Sequence, residues 1–132
     1  MNNLITDLQS IENELKEIQD FLEITPSEEI REIEDRGNQL IVYIARTSKL
    51  LADAKYHKNE KLNSTFMNAI KEINAFKSVS LSNKFVDSLC EQENYYVDWC
   101  ERLNRACTHG YEWTRSLMSK SVQEWKYNHF NK

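Results

Sequence analysis

The sequence predicts an all-α fold, an elongated, antiparallel, coiled-coil-like bundle of about four helices with a long C-terminal helix. The chain has 132 residues but only two glycines and one proline, which leaves few of the residues that tight turns and glycine-rich phosphate loops need. Its apolar residues recur at spacings of three and four, the period of one helix face. Because 40% of the residues are hydrophobic, as in globular proteins, we treat residues 1–132 as a single helical domain.

The first predicted helix covers residues 3–23. Its leucines and isoleucines alternate at spacings of three and four, with charged residues between them, as in a coiled coil. This pattern predicts one apolar seam along the helix, formed by Leu4, Leu8, Ile11, Leu15, Ile18 and Leu22.

The second predicted helix covers residues 26–57. Thr25-Pro26-Ser27-Glu28 has the composition of a capping box with proline at the first helical position, which places the helix start at about residue 26. Its seam contains small residues, so a neighbouring helix could approach closely, although Gly37 could equally produce a kink. The polar run over residues 57–65 indicates a turn or a stutter after this helix.

A third helix is predicted over residues 61–77 and a last one over residues 81–128. The serine-rich stretch from Ser78 to Ser82 supplies N-caps for the last helix. Gly110 is the point at which this helix would bend. One broad apolar face, within about 100° on a helical projection, consists of Phe85, Leu89, Tyr96, Cys100, Leu103, Cys107, Thr114, Leu117, Met118 and Trp125.

Helix length argues for self-association. A compact chain of this size has an expected radius of gyration of about 14 Å, which corresponds to a solid sphere with a diameter near 36 Å. The second and last helices would span roughly 46 Å and nearly 70 Å at 1.5 Å per residue. Either the last helix breaks near Gly110 or the bundle is elongated, and we favour an antiparallel bundle that forms a homo-oligomer through its seams.

Composition excludes several classes of protein. The longest apolar run, residues 40–45, is far shorter than the roughly 20 residues of a membrane span. We therefore expect no membrane partner and, without an export signal, a cytoplasmic protein, which is the host cytoplasm if a phage encodes it. Three cysteines fit reduced thiols in that compartment. The net charge of −4 argues against general binding of duplex nucleic acid.

No catalytic, metal-binding or cofactor-binding residue is assigned, and we expect a protein that is not an enzyme. Cys100 and Cys107 lie two turns apart on the apolar face, so we interpret them as buried thiols. Asp53 and His57 could share a metal ion, but a surface hydrogen bond is the preferred interpretation. Beside them, Lys49 is expected to form an ion pair with Asp53.

A stripe opposite the apolar face of the last helix is the candidate ligand site. It combines two guanidiniums, an imidazole and two aromatic rings, which suit an anionic, ring-bearing ligand such as a nucleotide. The alternative is a solvated face with one-turn pairs such as Glu101 with Arg105, or plain oligomer contacts. The stripe consists of Arg102, Arg105, His109, Tyr95 and Trp113.

Two segments carry a resemblance to known proteins. EIREIEDRGNQLIVYIARTSKLLADAKY (residues 29–56) and ENYYVDWCERLNRACTHGYEW (residues 93–113) resemble small helical proteins of phages and mobile elements of gut bacteria. In size and helical content the chain is also similar to phage counter-defence proteins, including sponges that sequester nucleotide signals. The resemblance implies a counter-defence role and assigns no binding residues.

These observations lead to one functional hypothesis and its rivals. The leading hypothesis is a non-enzymatic, homo-oligomeric helical protein of a phage or mobile element that sequesters an anionic nucleotide-like signal or a host protein. The alternatives are a structural or assembly protein and an accessory protein on single-stranded DNA. A thiol enzyme ranks last.

Overall fold

The structure, a computed structural model, describes residues 4–64, 84–85 and 87–130. Within them, three long helices dominate: α1 (Leu8–Glu23), α2 (Ile30–Leu62) and α3 (Glu91–Phe130). The described residues include no strand. The predicted all-α fold with a long C-terminal helix is confirmed.

The helices pack antiparallel. Gly37, near the start of α2, contacts Thr114 of α3, whereas Lys61 at the end of α2 binds Glu93 at the start of α3. At 1.5 Å per residue, the 33 residues of α2 and the 40 residues of α3 span about 50 Å and 60 Å. The predicted elongation of the bundle is therefore confirmed.

α1 lies across both long helices and supplies the middle of the core. It runs antiparallel to α2, because Phe21 contacts Tyr43 edge-on while Glu14 binds Arg46. The predicted seam is buried in its central part, whereas Leu4 precedes the helix and is 71% exposed. The core cluster consists of Ile11, Leu15, Ile18, Leu40, Leu50, Ala54, Tyr96, Cys100, Leu103 and Cys107.

The predicted start of α1 at residue 3 is wrong. The helix begins at Leu8, after Asp7, whose carboxylate accepts a hydrogen bond from the backbone N–H of Ser10 at 2.8 Å. An aspartate at this position satisfies an amide that the helix itself leaves unpaired. Hydrogen bonds from Ser10 also lower the pKa of Asp7.

The capping box predicted at Thr25-Pro26-Ser27-Glu28 is also wrong. α2 begins at Ile30, and its N-cap residue Glu29 makes no side-chain capping bond. The Ser27 hydroxyl instead accepts a hydrogen bond from the N–H of Glu29 at 3.1 Å. Residues 24–29 are needed to connect two antiparallel helices, and the φ angle of proline suits an extended connection as well as a helix start.

The turn or stutter predicted from residue 57 is absent up to residue 62. α2 continues to Leu62 and ends at Asn63, whose N–H donates to the Asn59 carbonyl at 3.0 Å. Of the third predicted helix, residues 61–62 belong to α2, and residues 65–77 lie outside the described residues.

The break in the C-terminal helical region lies at Cys90 and not at Gly110. Residues 84–85 and 87–89 are helical, Cys90 forms a turn, and α3 then runs to Phe130 without interruption. The N–H of Cys90 donates to the Asp87 carbonyl at 3.1 Å, and the Cys90 carbonyl accepts from Asn94. The start predicted at residue 81 lies outside the described residues.

Both helical glycines are contact points between α2 and α3. A Cβ atom at Gly37 would lie 2.7 Å from Cγ2 of Thr114, and one at Gly110 would lie 3.3 Å from Cδ1 of Leu40. Neither glycine has a positive φ. Of the two roles considered for Gly37, close approach is confirmed, since α2 continues through it as helix.

Membrane insertion finds no support in the helices described. None of them combines the length and the apolar character that a membrane span requires.

The close approach at Gly37 predicts a specific pattern of stabilities. Gly37→Ala should lower the free energy of unfolding, because overpacking costs about 1–3 kcal/mol, more than the roughly 1 kcal/mol gained in helix propensity. Thr114→Ser removes the clashing methyl group and keeps the hydroxyl, which donates to the Gly110 carbonyl at 2.9 Å. The double variant should therefore recover most of the loss in urea unfolding.

Gly110→Ala is the matched control, because its neighbour is the end of a leucine side chain. We expect it to be neutral or to stabilise by up to about 1 kcal/mol. An equal loss for both alanine variants, or no coupling between positions 37 and 114, would contradict the proposed contact.

Candidate functional site

The predicted binding stripe lies on the solvent-exposed side of α3. Arg102, Arg105 and His109 are exposed, and Tyr95 and Trp113 are each 62% exposed. Because α3 is continuous over this stretch, all five side chains keep the alignment that their spacing predicts.

The stripe is long, and its members fall into three parts. Tyr95 and Trp113 lie about 27 Å apart along the helix axis, whereas Arg102 and His109 lie about 10 Å apart. A single nucleotide cannot touch both rings. The structure thus places a cationic centre, formed by Arg102, Arg105 and His109, between two separate aromatic ends. These ends are Tyr95 and Trp113.

The cationic centre holds two guanidiniums that are free of ion pairs within the part of the chain that the structure describes. Neither Arg102 nor Arg105 pairs with a carboxylate there, so the one-turn pair of Glu101 with Arg105 is not formed. His109 lies 3.5 Å from Glu112, and both side chains are mostly exposed. Both arginines are thus exposed and without an ion-pair partner among the described residues.

A shallow groove between α2 and α3 borders the cationic centre on one side. Arg105 and His109 form its outer edge, and Leu51 of α2 contributes an apolar wall. The remaining lining residues are Glu101, Asn104 and Thr108. This groove is open to solvent, so the chain alone offers an anion a surface and not an enclosed pocket.

The aromatic ends have different neighbours. The Tyr95 ring lies 5.8 Å from the Trp99 ring, and the Trp99 indole donates to the Gln19 side chain of α1 at 3.1 Å. Trp113 borders a second groove with Pro26 and Leu117. The Tyr95 ring is therefore held by its contact with Trp99, whereas Trp113 lies at the end of the bundle where α2 begins.

A polar cluster on α2 anchors the N-terminal segment. The Lys49 ammonium binds the Asp53 carboxylate at 2.5 and 2.6 Å and the Leu4 carbonyl at 2.7 Å. Asp53 accepts from the N–H of Thr6 at 3.0 Å, and Nε2 of His57 lies 2.7 Å from the Thr6 carbonyl. The predicted Lys49–Asp53 ion pair is confirmed.

The surface hydrogen bond predicted between Asp53 and His57 is wrong. Asp53 is only 4% exposed, and each of the two side chains binds the Thr6 backbone instead. Among the described residues, no group of three potential ligands is arranged to hold a metal ion. The cluster thus holds residues 4–6 against α2, and this structural role accounts for its polar side chains.

The ionised form of Asp53 is stabilised by this arrangement. Burial alone would raise the pKa of Asp53, but hydrogen bonds from Lys49 and Thr6 outweigh it, and the pKa falls below its ordinary value. A neighbouring cluster reinforces the anchor: the Arg46 guanidinium donates to both carboxylate oxygens of Glu14 at 2.6 Å, the strong bidentate arrangement.

The three thiols are buried, as predicted for Cys100 and Cys107. Burial raises the pKa of Cys100 to about 12 and that of Cys107 to about 11. Both groups therefore stay protonated near neutral pH, which makes them weak nucleophiles. Burial also raises the pKa of Cys90.

Two polar contacts between elements were not predicted. The Asn104 amide donates to the Ile44 carbonyl at 3.0 Å and to the Thr47 and Ser48 hydroxyls. Thr6 precedes the first helix and carried no pattern at all. For the Asn104 contact, the available sequence signal was Thr47, a small residue in the seam of α2. A small seam residue leaves room for a side chain from the facing helix.

Comparisons of this chain with protein family models, with curated proteins and with solved structures found no match. The functional argument therefore starts from the geometry described above.

The N-terminal anchor predicts a pH-dependent stability. Because the pKa of Asp53 is lowered in the folded chain, its ionised form stabilises the fold above about pH 4, and this contribution is lost as pH falls through the folded-state pKa. Asp53→Asn should lower the free energy of unfolding at pH 7 by about 1–3 kcal/mol. The difference from the unmodified protein should shrink in acid.

Urea unfolding at several pH values measures this effect, and Asp20→Asn, on the exposed side of α1, is the matched control. A pH-independent loss for Asp53→Asn, or an equal loss for Asp20→Asn, would show that ionisation of Asp53 does not contribute.

Proposed function

We propose that the protein is a non-enzymatic, homo-oligomeric helical binding protein, and that the cationic centre of α3 sequesters an anionic, nucleotide-like ligand. The observation that supports this most directly is the pair of exposed arginines one turn apart, Arg102 and Arg105, without an ion-pair partner in the described ranges. Guanidinium groups match the geometry of phosphate oxygens and bind them in a bidentate manner.

The surroundings of the arginines favour a ligand that carries both a phosphate and a ring. Tyr95 lies two turns from Arg102 on the same face, about 10 Å along the axis, a distance that suits a base stacked on Tyr95 and a phosphate at the arginines. Its support by Trp99 keeps the ring in place, so less conformational entropy is lost on stacking. His109 adds a further hydrogen-bond donor at the other side of the centre.

The open site limits the affinity for a ligand, and self-association enters the proposal separately, through the length of the helices and the exposed apolar end of α3. Charged contacts on an exposed surface contribute little free energy, about 0–1 kcal/mol each, and the groove beside Arg105 is shallow. The resemblance to phage and mobile-element proteins supports a counter-defence setting, in which a host nucleotide signal is the ligand.

A structural or assembly role is the second candidate. It is favoured by the exposed apolar side chains at the C-terminal end of α3, among them Trp125, which is 55% exposed, and Phe130, which is 76% exposed. In that case the arginines would be solvated surface residues or contacts to a larger assembly. Binding to single-stranded DNA would use the same arginines, but the net charge of −4 opposes it.

Isothermal titration with cyclic dinucleotides, ADP-ribose and a short single-stranded oligonucleotide tests the ligand. We expect one of the two nucleotide classes to bind, and Arg102→Ala with Arg105→Ala to weaken binding about tenfold to 30-fold, since two exposed charged contacts together contribute up to about 2 kcal/mol. Arg31→Ala with Lys55→Ala, two exposed positions on α2, is the control with the same change in net charge.

Equal loss of binding in both double variants would indicate a general charge effect and contradict a site at Arg102 and Arg105. An absence of nucleotide binding together with a stable oligomer would favour the assembly role.

A further inference from the structure

The apolar seam of α3 extends beyond the helix that covers it. Gly37 of α2 contacts Thr114, and Leu40 contacts Gly110, so Ile30 at the start of α2 is level with about residue 121. The residues before α2 also end near this level, because Pro26 and Glu124 border the same groove. The last part of α3, nearly three turns, therefore projects past the start of α2, with residues 26–28 beside its first turn only. We call residues 121–130 the overhang.

The overhang continues the buried line of α3. Trp125 follows Cys107 by 18 residues, or five full turns, and therefore points in the same direction from the helix axis. Cys107 is fully buried, whereas Trp125 is 55% and Val122 49% exposed. Residues that face the core elsewhere in α3 thus face solvent in the overhang, because α2 has ended.

We propose that a second copy of this chain covers the overhang, in a two-fold arrangement that brings the two overhangs together antiparallel. This inference rests on the self-association in the proposed function and assigns its surface. The apolar face of the overhang continues the face of α3 that packs against α2. A second copy would therefore pack along the same face of α3, beyond the start of α2. A helical partner is what such a seam accepts elsewhere in the molecule.

The shape of the bundle fixes the orientation. α2 occupies the seam of α3 up to about residue 121, so a parallel partner would place its own α2 against the first copy. An antiparallel partner points its bundle away and shares only the overhang. In this register Trp125 lies opposite Trp125 of the second copy, and Phe130 reaches Ile30 of the second copy, a residue that is 51% exposed.

Charge and size fit a weak dimer. The overhang carries one lysine, Lys126, and one glutamate, Glu124, so two copies approach without net repulsion. This balance does not favour a nucleic acid or an anionic membrane, both of which need clustered cations.

The size of the overhang fits a weak dimer. About three turns of helix per copy bury less than the roughly 800 Å² that each partner buries in a standard interface. A central tryptophan is a common source of most of the binding energy in such a contact.

Sedimentation velocity from low to high micromolar protein tests the dimer. We expect the mass to rise from one chain to two, and Val122→Glu and Trp125→Glu each to weaken dimerisation at least about tenfold, equivalent to 1.4 kcal/mol. Val42→Glu is the matched control, because Val42 is a similarly exposed valine, 57% against 49% for Val122, on α2. Circular dichroism should show unchanged helix content in all three.

Cross-linking tests the orientation. In the antiparallel register, residue 121 of one copy lies opposite residue 129 of the other. A mixture of Ser121→Cys and His129→Cys proteins should therefore form a mixed disulfide under mild oxidation, whereas Ser121→Cys alone should form little disulfide dimer. Efficient cross-linking of Ser121→Cys to itself would overturn the antiparallel arrangement.

The outcomes separate this inference from the proposed function. An oligomer that Val122→Glu and Trp125→Glu leave intact would overturn the overhang as the interface while self-association stands. A monomer at every concentration would overturn self-association and the overhang together. Nucleotide binding by that monomer would still support the arginine site, because the titration measures it independently.

Discussion

The bundle depends on the close approach of α2 and α3. Gly37 and Gly110 carry no side chain at the two points where Thr114 and Leu40 press against the facing helix. A β-branched residue on one helix thus fits against a bare backbone on the other, and the interhelical distance is set there. The core against which α1 packs, including the fully buried Leu40 and Cys100, relies on that spacing.

The remaining polar interactions hold other elements to this pair. The Arg46–Glu14 and Lys49–Asp53 ion pairs lie where α1 and the N-terminal segment meet α2, and Trp99 reaches α1 through Gln19. Each is at least partly shielded from water, so each retains more of its electrostatic strength than an exposed pair would. The far side of α3 has no such contacts from α1, and there the arginine stripe stays accessible.

Periodic features were predictable from the sequence, whereas features set by single partners were not. The seam of α1 and the apolar face of α3 follow from the helical repeat, and the close approach considered for Gly37 follows from its place in the seam of α2. The start of α2 was missed because Pro26 and Ser27 suit an extended connection as well as a helix, and only the geometry of the α1–α2 junction decides between them. Asn104 and Thr6 were missed because their partners are remote in sequence.

In the candidate site, too, periodic features were predictable and features that depend on single partners were not. The alignment of Arg102 with Tyr95 and Trp113 follows from 100° per residue, and the structure keeps it. A helical projection omits the distance along the helix axis. This distance gives the Tyr95 and Trp113 rings different neighbours. The projection also omits whether nearby carboxylates form pairs, which depends on side-chain conformation.

The Asn104 amide has a consequence for how the chain selects one arrangement of its helices. A shift of α3 along α2 by one turn would misalign the contacts of Gly37 with Thr114 and of Gly110 with Leu40. Such a shift would also move the amide away from the Ile44 carbonyl and the Thr47 hydroxyl, with a loss of about 0.5–1.5 kcal/mol for each hydrogen bond. Asn104 therefore adds to the preference for one register of α2 and α3, as polar residues do in coiled-coil seams.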